Sequence, residues 1–168
     1  MNDRMEFLIR GVLIGAGATG CMDVWAQVLR RGFGVRSLDF GLLGRWVGHI
    51  PRGRLVHPSI AKAEPIRGER ALGWVTHYAI GCSFAFLLLA IWGSEWGRSP
   101  TIAPAMIVGL ATLPAPLFVL QPCMGLGIAA SRTPRPGAAR LKSLVTHVVY
   151  GVGLYGSGVV LSALWPGY

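Results

Sequence analysis

Charge is scarce in this chain. Only 14% of its 168 residues are Asp, Glu, Lys or Arg, and just 7 are acidic, whereas a soluble domain carries roughly 25% charged residues. An ordinary soluble domain is thereby excluded. Cysteine is rare as well: Cys21, Cys82 and Cys123 all fall inside apolar runs, and no CxxC pair occurs. That argues against a disulfide framework, a zinc ribbon or a dithiol redox motif; each thiol reads as a small buried hydrophobe. Gly32, Gly34 and their neighbours form no GxGxxG or P-loop, no HxxxH or HxxE pair falls within a helix, and no Ser-His-Asp or Cys-His arrangement stands out. Nucleotide binding at that connection and nucleophilic hydrolysis therefore have no motif behind them.

What is abundant is apolar length. Apolar residues make up 52% of the chain and the mean hydropathy is +0.51. Four stretches, near 7–29, 72–92, 102–131 and 144–165, reach the roughly 20 residues that a helix needs to cross a hydrocarbon core. The expectation is an all-α integral membrane protein, one transmembrane domain over residues 1–168, with a long connection at 32–69 between its first two helices. The third stretch holds Pro104, Pro114, Pro116 and Pro122; it is predicted to be kinked or broken. Asp3 and Glu6 interrupt the basic start of the first stretch, which reads as a retained helix rather than a cleaved signal peptide.

The formal charge of +9 is a topology signal rather than a nucleic-acid footprint, because the basic residues cluster in two connections. Arg30, Arg31, Arg36, Arg45, Arg52, Arg54, Lys62, Arg67 and Arg70 lie in or beside the first, and Arg132, Arg135, Arg140 and Lys142 in or beside the second. Only Arg4, Arg10 and Arg98 stand elsewhere. Both basic connections are expected to be cytoplasmic, giving an N-out, C-out protein of a bacterial inner membrane.

Two histidines interrupt the apolar runs within the same local string, Val75-Thr76-His77 and Val145-Thr146-His147, 70 positions apart. Cys21-Met22 and Cys123-Met124 form a second echo. Together they point to two helical hairpins of common plan, a parallel repeat about an axis along the membrane normal. His77 stands seven residues past Arg70, His147 seven past Arg140, and Asp23 seven before Arg30, so all three should share a layer about 10 Å inside the basic boundary. Gly11, Gly15, Thr19 and Asp23 recur at i, i+4, as do Gly73, His77 and Gly81, and Ser143, His147, Gly151 and Tyr155. Such small-residue faces are expected to turn inward, with Gln121 and Cys123 closing the ring.

Three chemistries fit that layer. Asp23, His77 and His147 form a ligand set for a transition metal, and two histidines on separate helices also suit haem. The same groups could relay protons in a small proton-coupled transporter. The third reading is plain interhelical hydrogen bonding, in a structural or accessory subunit of a larger membrane complex or homo-oligomer.

The connection at 32–69 offers a second site. GLLGRWVG at 41–48 with Trp46, then Arg52-Gly53-Arg54, resembles an interfacial segment that sets its tryptophan at headgroup depth. Arg45, Trp46, Arg52 and Arg54 are candidate contacts to anionic lipid headgroups at the cytoplasmic face. His57 and Glu69 flank the start of the second span, and Glu69 next to Arg70 reads as an interfacial ion pair.

Three patterns carry a resemblance to a known family: G-x-x-A-T-x-x-M-D-x-W at 15–25, G-E-R-x-x-G-W-x-x-H-Y at 68–78, and Gln121-Pro122 followed by Gly125 and Gly127. The chain is similar over nearly its whole length to a family of small four-helix bacterial membrane proteins catalogued as a domain of unknown function. The resemblance implies the architecture and no activity. It nominates Asp23, Glu69 and His77, with Tyr78 beside it.

Overall fold

The computed structural model describes residues 2–35 and 38–166; Arg36, one of the basic residues of the first connection, lies outside them. Among the described residues the chain is helical and contains no strand. Helix α1 spans Asp3–Phe33, α2 Phe40–His49, α3 Glu69–Arg98, α4 Ile102–Ala111, α5 Gln121–Cys123 and α6 Pro136–Leu164, with a π-helical stretch at Ala115–Leu120. Among the described residues, four segments are long and apolar enough to cross a membrane: Asp3–Phe33, Glu69–Arg98, Ile102–Cys123 and Pro136–Leu164. On that ground the protein is a multi-pass membrane protein.

The helix limits follow local chemistry. Asn2 caps α1 by accepting the Arg4 N–H at 3.1 Å, and Gly34 ends it in the left-handed conformation at φ 64°, where a Cβ would be strained. The helix therefore reaches past the apolar run 7–29 at both ends and takes Glu6 inside it. Helix α3 likewise extends beyond 72–92, and Gly93 at φ 76° interrupts it.

The third span is interrupted beyond Ala111, where three of its four prolines lie. Pro104 sits in the first turn of α4, where backbone N–H groups have no intrahelical acceptor, and leaves the helix intact. Pro114, Pro116 and Pro122 lie further along, and there the backbone passes through a π-helical stretch into the short α5. The span stops at Cys123, short of the expected end near 131. Gly125 and Gly127 adopt φ 87° and 76° and turn the chain away.

The chain divides into two compact units. Unit 1 comprises Met1–Arg36, Tyr78–Thr112 and Thr146–Tyr168; unit 2 comprises Ser37–His77 and Leu113–Val145. The core of unit 1 gathers Ile14 and Ala18 of α1, Ala85, Leu88, Leu89 and Trp96 of α3, Ala105 and Val108 of α4, and Tyr150 and Leu154 of α6. Glycines let these helices close. A Cβ on Gly15 would strike the backbone of Cys82, one on Gly109 the backbone of Gly151, and one on Gly153 the backbone of Ala18. In unit 2, α2 lies against the first turns of α3 through a reciprocal pair: a Cβ on Gly44 would strike the Glu69 carbonyl, and one on Gly73 the Phe40 carbonyl. Large apolar side chains such as Val24, Ile91, Ile107 and Val160 remain exposed on the spans, the pattern of helices solvated by lipid.

Candidate functional site

The i, i+4 face of α1 packs onto α3 within unit 1. Gly11 faces the Phe86 ring, Gly15 faces Cys82 and Ala85, and Thr19 faces Gly81. The Thr19 hydroxyl donates to the Gly15 carbonyl at 2.7 Å, a bond within its own helix that removes a polar group from the contact. One turn further on, the Tyr78 hydroxyl donates to Asp23 Oδ2 at 3.0 Å. Asp23 is half-buried and tied to α3. Tyr150 of α6 makes the corresponding tie from the opposite side, donating its hydroxyl to the Gly81 carbonyl at 2.6 Å. His147 is half-buried on α6, and its carbonyl lies 2.8 Å from where a Cβ on Gly109 would stand.

His77 belongs to unit 2 and to an aromatic group there. Its ring lies 4.5 Å from that of Phe40 and 6.1 Å from that of Trp74, and Phe40 and Trp74 are 4.3 Å apart. Gln121 donates weakly to the Ser143 hydroxyl at 3.5 Å, while its Oε1 is buried without a hydrogen-bond partner among the described residues. Cys123 is a free thiol, as are Cys21 and Cys82; the Cys123 carbonyl accepts the His57 N–H at 2.8 Å. Among the described residues no three His, Cys, Asp or Glu side chains gather closely enough to hold a metal ion.

The connection folds into a polar clasp in unit 2. Arg45 donates from Nε and Nη2 to the two oxygens of Glu69, both at 2.8 Å, the bidentate geometry that makes such pairs strong. Its remaining nitrogen reaches the carbonyls of Ala61 and Ala63 at 3.2 and 3.1 Å, and Glu69 also accepts the Ile66 N–H. The neighbour in sequence, Arg70, is exposed; the partner of Glu69 comes instead from 24 residues away. Glu69 thus holds Arg45 above its ordinary pKa. Of the four residues grouped as headgroup contacts, Arg45 points into this clasp and Trp46 donates its Nε1–H to the Leu55 carbonyl at 2.8 Å. Arg52 and Arg54 are exposed.

His49 and His57 meet inside the clasp, with His49 Nδ1 2.8 Å from His57 Nε2. His49 Nε2 lies 3.1 Å from the Glu64 carbonyl, which can only accept, so that nitrogen carries the proton. With both rings neutral, His49 Nδ1 then accepts from His57 Nε2–H. The tautomer leaves His57 Nδ1 as a buried lone pair with no hydrogen-bond partner among the described residues. Burial first, then His49, lowers the His57 pKa, with Arg54 acting in the same sense against the Cys123 carbonyl. Sequence spacing offered no signal for this pair, since seven intervening loop residues set no fixed geometry.

A third constellation sits among residues read from sequence only as topology markers. Arg10 is fully buried and donates to Glu6 Oε1 at 2.8 Å, the Gly97 carbonyl at 2.7 Å and the Trp165 carbonyl at 2.9 Å. Its guanidinium also lies 4.7 Å from the Trp165 ring centroid, within cation–π range. Arg98 donates to both Glu6 oxygens, at 3.0 and 2.7 Å. The network ties the start of α1, the end of α3 and the end of α6 together at one end of unit 1. The i, i+4 spacing of Glu6 and Arg10 was its one legible sign.

A family model described as "Protein of unknown function (DUF2938)" matches residues 12–161. No curated protein and no solved structure matches the chain.

Proposed function

The chain belongs to that family, and from this premise we propose that it is a structural or accessory subunit of a bacterial inner-membrane assembly, with both termini outside. One observation carries the reading: three polar side chains of unit 1 join helix to helix. Tyr78 reaches Asp23, Tyr150 reaches the Gly81 carbonyl, and Arg10 reaches the ends of two other helices. Interhelical hydrogen bonds of this kind contribute on the order of 1 kcal/mol each and specify packing. The interior around them is filled by Ile14, Ala18, Leu88 and Leu154 at full burial, as expected of a scaffold rather than of a conduit. The repeated VTH strings belong to the same reading, as two hairpins of common plan.

The test is purification of the full chain in mild detergent, with native mass determination, metal analysis and absorption spectroscopy. The expected result is a defined stoichiometric complex, with a partner chain or with further copies, that weakens in Asp23→Ala and Tyr78→Phe. An isolated monodisperse monomer overturns the proposal. So does a stoichiometric transition metal or a Soret band lost in His77→Ala and His147→Ala, which would establish a metal or haem centre instead.

A further inference from the structure

Unit 2 combines positive charge with exposed apolar surface on a rigid frame. Among the described residues, eight of its basic side chains are exposed against two acidic ones, Asp39 and Glu64. Arg52 and Arg54 alternate there with apolar residues, Ile50 before them and Leu55 and Val56 after, the last 69% exposed. The segment is held in place. Trp46 binds the Leu55 carbonyl, the Arg54 N–H donates to the His49 carbonyl, and the His57 and Ile60 N–H groups donate to the carbonyls of Cys123 and Met124.

Those last two bonds set Val56 beside the turn that follows α5. Between them lies an open hollow of about 330 Å³ lined by Val56, Pro122, Gly127, Ile128, Ser131 and Arg132. Its far wall is equally fixed: the Arg132 N–H donates to the Leu126 carbonyl at 2.9 Å, and Arg140 holds the Ala129 carbonyl at 2.8 Å. Ala129 and Ala130 both stand at positive φ, 48° and 60°, a strained conformation that persists only where surrounding structure enforces it. The hollow is apolar at Val56, Pro122 and Ile128, and the exposed Arg132 supplies its charged rim.

An apolar floor under a cationic rim matches one ligand class, an amphiphile with an anionic head. We propose that this hollow binds a single anionic phospholipid, its acyl chains against Val56, Pro122 and Ile128 and its phosphate on Arg132. Arg52 and Arg54 supply positive potential from the adjoining segment. Basic pockets beside membrane helices hold acidic headgroups in this way. A free phosphate would use the rim alone and leave the apolar floor in water. The inference goes beyond the assembly reading and does not depend on a partner chain.

Native mass spectrometry of the full chain, exchanged into phosphatidylglycerol or phosphatidylcholine of identical acyl chains, tests it. The expected result is preferential retention of one phosphatidylglycerol per chain. Arg132→Gln should lower that retention about fivefold, the scale of one basic side chain against an anionic leaflet, while Arg4→Gln in unit 1 leaves it unchanged. Ile128→Ser, at a side chain 62% exposed, should weaken retention without removing a charge, which keeps the test open if the arginine variant misfolds. Glycerophosphoglycerol, the headgroup without its chains, should fail to displace the lipid at equal concentration. Equal retention of the two lipids, unchanged retention in both hollow variants, or displacement by the chain-free headgroup each overturns the proposal. Lipid is counted per chain, so the answer stands whether or not a partner co-purifies.

Discussion

Arg10 is completely buried, and every donor direction it uses ends on a carboxylate or a carbonyl. Breaking such a pair from one side leaves an uncompensated buried charge. Glu6→Gln should therefore cost about 3 kcal/mol, at the lower end of what loss of one buried partner costs, and Glu6→Gln combined with Arg10→Met should be less damaging than Glu6→Gln alone. Melting of the three proteins in detergent, followed by circular dichroism, checks both. His57 makes a second residue-scale case. Its pKa is lowered from the ordinary 6.5 in the folded protein, so below that pH the unfolded chain binds a proton that the folded one refuses. The contribution of His57 to stability is complete above pH 6.5 and is lost as pH falls from there through the folded value. A melting temperature that declines on acidification below 6.5, and declines less in His57→Gln, is the expected outcome; Gln retains a donor near the Nε2 position. Apart from the i, i+4 spacing of Glu6 and Arg10, neither site was legible in sequence. The partners of Arg10 lie 87 and 155 residues away, and no local period reports a contact at that separation.

The elements divide by what terminates and what joins them. Glycine and proline act locally, which is why the interruption of the third span follows from sequence with a physical reason attached, whereas α1 runs on from the expected 29 to Phe33. The seating of α2 on α3 is different, because Gly44 and Gly73 are necessary only once the two backbones touch. Gly44→Val should displace α2, since the atoms in the way are the Glu69 carbonyl and the Gly73 amide and neither can rotate aside. Overpacking of this kind costs about 1–3 kcal/mol. Trypsin cleavage after Arg52 and Arg54 should accelerate in Gly44→Val and stay at the parental rate in Gly20→Ala, where no atom lies within 4 Å of the added methyl. Equal cleavage in both variants would remove the packing role assigned to Gly44.

At the scale of the whole molecule, the proposed orientation follows from the lysines and arginines of the basic connections. In a chain with its three cysteines replaced by serine, an impermeant maleimide should label Ser99→Cys in intact cells. Gly137→Cys should be labelled only after permeabilisation; the reverse pattern would invert the topology. Sequence alone determined the four spans, the break in the third and the clustering of charge, because hydropathy, proline and charge density act over one helix length or less. The inward face of α1 was readable for the same reason, as the 3.6-residue period places Gly15, Thr19 and Asp23 together. Only the tertiary structure decided the pairings: Glu69 with Arg45 in preference to its neighbour Arg70, His49 with His57, and Arg10 with helix ends remote in sequence. Each of these rests on two backbones being held a few ångströms apart, a distance that depends on how glycines and turns elsewhere let the helices close.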